Sequence, residues 1–446
     1  MLSTKGYRRS HIRYQDEKYY SCKPIYTSTF AYSIAFLRQT EPSRVNILKA
    51  KYRNLTASMG EMDLLVNHNL VYAVLRKHLE RYPQDPALVH KALTIDRDLI
   101  AARIYVLLRC CERRRLFMNQ KNHRAQSLLN LMQELLNNAS LDLGEYRSPI
   151  TTAVIQLSRN AGLYPERLLL RDVFIQDKFA SAGGRYGDVY EGNLWGRAVA
   201  VKMMRACGYD ADAAMRLMKA FAKEAVLWAQ LSSPYILQFY GVYAMTKPVP
   251  RLGLVSPWMK NGNLTQYLNK TPQIDRMPLM KDIAFGLYYL HSFDPQVIHG
   301  DLKGSNILIT DDHRACVADF GLCLLAQNSA LQITMTSSSN DHGSLFWMAP
   351  ELINDEEETQ CKNCATDVYA FGCVCYEIFN GKPPFSDLST YKARLAIKES
   401  RIPPRPTHPD LDETVWMLIL KCLRGDPESR PSMSEIAQQL SFQQNL

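Results

Sequence analysis

The segment Val297-Ile-His-Gly-Asp-Leu-Lys-Gly-Ser-Asn-Ile-Leu308 sets a carboxylate, an amine and a carboxamide at fixed offsets: Asp301, Lys303 and Asn306. Together they could serve the transfer of a phosphoryl group to a hydroxyl. That reaction needs a carboxylate to orient the attacking hydroxyl and take its proton, and positive charge on the moving group. It also needs an oxygen ligand for magnesium. Asp301, Lys303 and Asn306 supply these in that order. Thirteen residues after Asn306 comes Asp319-Phe-Gly321. Its carboxylate would hold magnesium against phosphate oxygens, and the glycine lets the backbone turn sharply.

Further signals follow in order. Met348-Ala-Pro-Glu351 can close an activation segment, Asp367-Val-Tyr-Ala-Phe-Gly372 can open a central helix, and Arg430 is the expected buried partner of Glu351. With these spacings, residues 172–440 resemble the protein kinase superfamily. The phrases HGDLKGSNIL, DVYAFGCVCYEI and GKPPF resemble the tyrosine-kinase-like group of serine/threonine kinases, particularly those abundant in mushroom-forming fungi. The resemblance implies an α+β, two-lobe kinase fold using ATP and Mg2+ on a protein substrate with a Ser/Thr acceptor, in intracellular signalling. Lys303 is the serine/threonine-type choice, and Gly343-Ser344 points the same way, with Ser344 an expected partner of Asp301 and Lys303.

The same resemblance assigns the nucleotide contacts. Lys202, ending Arg197-Ala-Val-Ala-Val-Lys202, looks like the strand lysine that grips the α- and β-phosphates, and Ala200 belongs with it. Glu224 is the sole acid between Asp212 and Asp275, hence the sole candidate to hold that lysine. The phosphate-covering loop reads Ala182-Gly-Gly-Arg-Tyr-Gly-Asp-Val189. Gly184, Gly187 and Val189 are in register with the family pattern, while Ala182 stands where the first glycine is usual, and its methyl tightens the approach to phosphate. In Leu254-Val-Ser-Pro-Trp-Met259, Ser256 is the expected gatekeeper, with Met259 N–H and Pro257 C=O facing adenine. If the register slips by one, Ser256 is an ordinary strand residue. Gly300 stands where many kinases carry an arginine that pairs with a phosphorylated activation loop. Activity should then depend little on phosphorylation of Thr334, Thr336 or Ser337–Ser339. Cys323 could be a reactive thiol or a buried inert one; no cation flanks it in sequence.

These residues need elements to position them. Val173-Phe-Ile175, Asp188–Glu191, Arg197–Lys202 and Leu252–Val255 read as strands, with one helix from Asp212 to Leu231, and the pattern after Asn263 is mainly helical. This strand-rich lobe followed by a helical one is preceded by an all-α region. There, Leu64, Leu65, Val71, Val74, Leu75 and Leu79 mark one helix, ended by Pro83. Leu99, Ile104, Leu107 and Leu108 mark a second, after which Arg113-Arg114-Arg115 reads as a solvated helix end. Leu128, Leu129, Met132, Leu135 and Leu136 mark a third, ended by Asn137-Asn138. The organisation is therefore 1–45 an irregular or disordered leader, 46–165 a helical bundle-like region, and 166–446 the kinase-like domain.

Composition limits the alternatives. At 446 residues, 46% hydrophobic and 22% charged, the chain can bury two to three cores. Its longest apolar stretch, Leu99 to Cys111, is broken by Arg103 and Arg109, so no transmembrane segment is expected. The basic, polar N-terminus lacks a signal-peptide core, giving a cytoplasmic location as the default, with the nucleus as the other. Eleven cysteines fit reduced thiols. Cys361 and Cys364 form a CxxC without a nearby second pair, so they read as loop thiols before zinc ligands. The net charge of +9 concentrates in residues 1–165, with 25 Lys+Arg against 13 Asp+Glu, while the remainder holds 28 against 31. No nucleic-acid motif accompanies that excess, so nucleic acid is not the expected partner. A protein partner for the helical region is. The principal competing reading is a pseudokinase scaffold, motivated by Ala182 and Gly300. Lys202, Asp301, Asn306 and Asp319 speak against it.

Overall fold

The computed structural model describes residues 50, 53–79, 86–138, 142–175, 180, 182–183, 187–204, 211–245, 251–321, 323–325, 344–353 and 362–442. The leader, Gly184, Thr334, Thr336, Ser337–Ser339, Gly343 and Cys361 lie outside them. The chain divides into two compact units, residues 1–100 and 101–446.

In the first unit, α1 (Glu61–Val66) and α2 (His68–Leu79) replace the single helix expected there, and α3 (Pro86–Arg109) begins beyond them. The break falls at Asn67. Asn67 leaves the helical backbone conformation (φ −98°, ψ 11°), and its N–H and side-chain amide both donate to the Asp63 carbonyl, at 2.9 and 2.8 Å.

The second unit opens with α4 (Cys111–Met118), α5 (Asn122–Leu136) and α6 (Arg147–Ala161). Arg113–Arg115 lie inside α4 rather than at a helix end, because the chain breaks at Cys110 and starts a new helix; Arg114 donates to Gln156 of α6 at 3.2 Å. Helix α5 ends at Leu136, where the Asn pair begins. Helix α6 has no counterpart among the expected helices. Its Ser148, Pro149, Thr151, Thr152 and Ser158 blur the apolar stripe, and Gly162 in the left-handed conformation ends it.

A curled sheet follows: β1 (Leu169–Leu170), β2 (Val173–Ile175), β3 (Ala182–Gly183), β4 (Gly187–Leu194), β5 (Arg197–Met204), β6 (Gly241–Met245) and β7 (Arg251–Pro257). The order is β1-β6-β7-β5-β4-β2, with β3 on β4. Helix α7 (Ala211–Trp228) lies between β5 and β6 in sequence. Alternation along β5 sends Val199, Val201 and Met203 into the core with Val173, Leu194 and Val255, leaving Ala200 and Lys202 for the opposite face.

The helical lobe contains α8 (Leu264–Lys270), α9 (Met277–Ser292), α10 (Cys364–Asn380), α11 (Thr390–Lys398), α12 (Glu413–Cys422) and α13 (Met433–Phe442). Two short ribbons, β8 (Val297–Ile298) with β11 (Leu324–Leu325) and β9 (Ile307–Ile309) with β10 (Ala315–Val317), carry its loops. Helix α10 is buried from Thr366 to Phe379, capped by Asn363 and stopped by Gly381. A helix apolar on all sides is the interior post of such a lobe. The architecture is α+β with two lobes, as expected. No described helix is long and apolar enough to cross a membrane.

Candidate active site

Strand register gathers the upper half of the site. Val189 pairs with Lys202, Lys202 with Leu254, and Ala200 with Ser256. Directly opposed residues point to one side of a sheet, so Val189, Ala200, Lys202 and Ser256 share a face. Ser256 is buried, and Pro257, opposite Val199, ends the strand. Met259 follows, its carbonyl accepting from Gly262 N–H at 3.0 Å. Ala182 pairs with Val189. At Gly187 an added Cβ would run into the Met203 carbonyl, so close strand approach itself demands glycine there.

Lys202 is held from two elements. Its Nζ donates to Glu224 Oε1 of α7 at 3.1 Å and to Asp319 Oδ1 at 2.7 Å. Burial works against the ammonium charge, but the two carboxylates outweigh it and raise the lysine above its ordinary range. Burial raises Glu224. For Asp319 burial acts in the same direction, yet Lys202 prevails and holds its carboxyl below the usual value. Asp319 has φ of 66°, a left-handed conformation uncommon outside glycine. Phe320 beside it is fully buried, packing on Trp228 of α7 and His299 with ring centroids 5.6 and 5.9 Å away.

The lower half is a compact polar cluster. Lys303 Nζ lies 2.9 Å from Asp301 Oδ2 and donates to Ser344 Oγ at 2.9 Å; Ser344 donates to Asp301 Oδ1 at 2.9 Å. Asn306 Nδ2 donates to the Asp301 carbonyl at 2.7 Å and to Oδ2 at 3.2 Å. Since the amide nitrogen is committed to Asp301, the amide oxygen is the end left for a hard cation. The Ala318 N–H donates to the Asn306 carbonyl at 2.9 Å, joining this loop to the residue before Asp319. With Oδ1 of Asp319 on Lys202, its Oδ2 supplies a second oxygen, so the donor set fits a divalent metal. Among the described residues no group of three or more His, Cys, Asp or Glu side chains is placed to hold a metal by itself.

Asp367, at the start of α10, fixes the loop from below. It accepts from His299 N–H at 2.7 Å, Gly300 N–H at 2.8 Å and His291 Nε2 at 2.9 Å. Burial opposes its charge, but His291 and the amides win and lower it; His291 is raised to about 9, burial being outweighed by Asp367 and the neighbouring Cys364. Gly300 has φ of 75°, which a side chain would strain, and Lys362 donates to its carbonyl at 2.5 Å. Glu377 takes Thr265 at 2.7 Å and Trp347 at 3.1 Å, and presses so close to Gly304 that a Cβ would clash. Sequence reasoning missed Asp367 as the anchor of these amides, along with Glu377, Lys362 and His291. The Asp367 and Glu377 motif phrases were visible, but their partners are backbone or distant. Cys323 is fully buried, and burial drives its thiol well above the ordinary value.

Residues 179–440 match the model of the protein tyrosine and serine/threonine kinase family. The chain is similar to the serine/threonine/tyrosine-protein kinase HT1 of Arabidopsis thaliana, 35% identical over 60% of this chain and 65% of that protein. It is also similar to the dual specificity protein kinase shkC of Dictyostelium discoideum, at 34% over 57% and 48%. A third relative is the serine/threonine-protein kinase CTR1 of Arabidopsis thaliana, at 31% over 59% and 31%. The chain thus spans less than two thirds of the length of these relatives.

Proposed function

Because the chain belongs to the protein tyrosine and serine/threonine kinase family, in its tyrosine-kinase-like group, we propose that it phosphorylates serine and threonine hydroxyls of proteins in intracellular signalling. ATP with Mg2+ would supply the phosphoryl donor and neutralise its phosphate charge. Lys202, braced by Glu224, binds phosphate oxygens, with Gly184, Gly187, Val189 and Ala182 covering them. Ala200, Ser256, Pro257 and Met259 take the adenine side. Asn306 and Asp319 hold the metal. Asp301 orients the acceptor hydroxyl and accepts its proton, while Lys303 places positive charge beside it.

The observation that carries this reading is Lys202 bonded at once to α7 and to Asp319, residues 22 and 117 positions away in sequence. Evolving such a convergence into a cleft suits a ligand better than stability alone. Ala182 and Gly300 favour a nucleotide-binding scaffold as the second reading. Relatives named as dual-specificity or serine/threonine/tyrosine kinases make a tyrosine acceptor worth testing alongside. Purified full chain with labelled ATP, magnesium and generic Ser/Thr and Tyr substrates should label the Ser/Thr substrate. Asp319→Asn should lower the rate on the order of a hundredfold or more. Equal labelling by both proteins, or none above background by either, would overturn the reading.

A further inference from the structure

Helix α7 carries Glu224 but does not stand alone. Helix α5 packs along α6, and α6 along α7. Gly162, with φ of 68° at the end of α6, faces Met215, Met218 and Lys219 of α7. Two residues on, the Tyr164 ring meets Phe221 edge-on, with centroids 6.0 Å apart. Gln230, just past α7, donates to buried Gln133 of α5 at 2.9 Å. On its other sides α7 reaches the active site three times. Glu224 accepts from Lys202, Lys223 Nζ donates to the Cys323 carbonyl at 2.5 Å, and Trp228 packs on Phe320.

We propose that α5, α6 and the Tyr164 segment form a built-in brace that keeps α7 seated, so that Tyr164 and Gln230 are positioning residues for the Lys202–Glu224 pair. Phe221, Ala222, Ala225, Val226, Leu227 and Trp228 are all buried, so α7 is covered on more than one side. Any outward swing must strip apolar surface from α6 as well as break the ion pair. The ion pair ties down only one residue of an 18-residue helix. The apolar layer behind it supplies the difference. This gives the helical region before the sheet a task in the reaction itself, and it rests on the cleft being a phosphoryl-transfer site.

The test uses the full chain carrying Tyr164→Ala with Gln230→Ala, both half-buried positions outside α5 and α6. Amide hydrogen exchange over residues 211–228 should rise about tenfold, and kcat/KM for ATP should fall about tenfold, with KM for the protein substrate unchanged. Tyr164→Phe alone keeps the ring contact and should behave as wild type in both assays. Unchanged exchange in α7 would overturn the brace. So would faster exchange spread equally over α9 and α10, which would report general loosening. If the wild-type protein transfers no phosphoryl group, the function fails on its own while the exchange arm still decides the brace.

Discussion

Two ion-pair assemblies tie together distant parts of the chain, and they differ in how much they leave open. In the cleft, Lys202, Glu224 and Asp319 have side chains 23%, 11% and 28% exposed. In the helical lobe, Arg430 is 0% exposed and meets Glu351 through two bonds of 2.7 and 2.8 Å. Its remaining N–H groups go to the carbonyls of Arg424, Ala365 and Gly425, so all five guanidinium donors are used. A saturated pair has nothing to offer a ligand and acts as architecture. A solvent-touched cluster of mixed charge retains the capacity to meet one.

The strongest way to break this contrast is Arg430→Ala. It would leave Glu351 buried without a partner and should cost about 3–5 kcal/mol of stability, read as a lower denaturant midpoint. Asp319→Asn, by contrast, should act on rate while the midpoint barely moves, because Lys202 keeps Glu224. An Arg430→Ala protein as stable as wild type would erase the distinction between the two assemblies.

The His291–Asp367 pair lies between these extremes: it is buried like Arg430–Glu351, yet Asp367 also accepts from the N–H groups of His299 and Gly300 beside Asp301. Its titration sharpens the comparison. His291 rises from 6.5 unfolded to about 9 folded. The stabilisation is therefore complete below pH 6.5 and is lost as pH climbs through 9. Between pH 6.5 and 8.5 the loss should amount to about 2 kcal/mol. Comparing unfolding midpoints of the wild type and His291→Gln isolates it, since the variant should lack that part of the slope. Parallel pH profiles would mean the imidazole carries no charge in the fold.

How much of this was legible beforehand follows from the same contrast. Asp301, Lys303, Asn306 and Asp319 could be singled out because the proposed chemistry dictates residue types and the loop dictates spacing. Arg430 with Glu351 was readable as a pattern. Asp367 was visible as part of a motif, but its bonds go to backbone N–H groups, which leave no mark on the sequence. Helix α6 escaped because Thr151 and Ser158 sit on its buried side and thin the apolar stripe, Ser158 satisfying its hydroxyl locally on the Leu163 carbonyl. Periodicity in α5 announced a buried face without naming what covers it. The break at Asn67 is a change of backbone dihedrals at a single residue, below what spacing alone can detect.

The smallest expected effect concerns Ser344, the neutral member of the open cluster. Its hydroxyl takes a bond from Lys303 and gives one to Asp301, both at 2.9 Å, while Lys303 and Asp301 also meet directly at 2.9 Å. Removing the hydroxyl thus deletes a bridge whose ends still touch, in contrast to Asp319→Asn, which deletes a charge. Ser344→Ala should lower kcat about fivefold, leave KM for ATP unchanged, and be restored by Ser344→Thr, which returns the hydroxyl. A loss as large as that of Asp319→Asn would show that a neutral hydrogen bond, rather than charge held open to solvent, governs the site, and the contrast between the two assemblies would no longer explain which residues do chemistry.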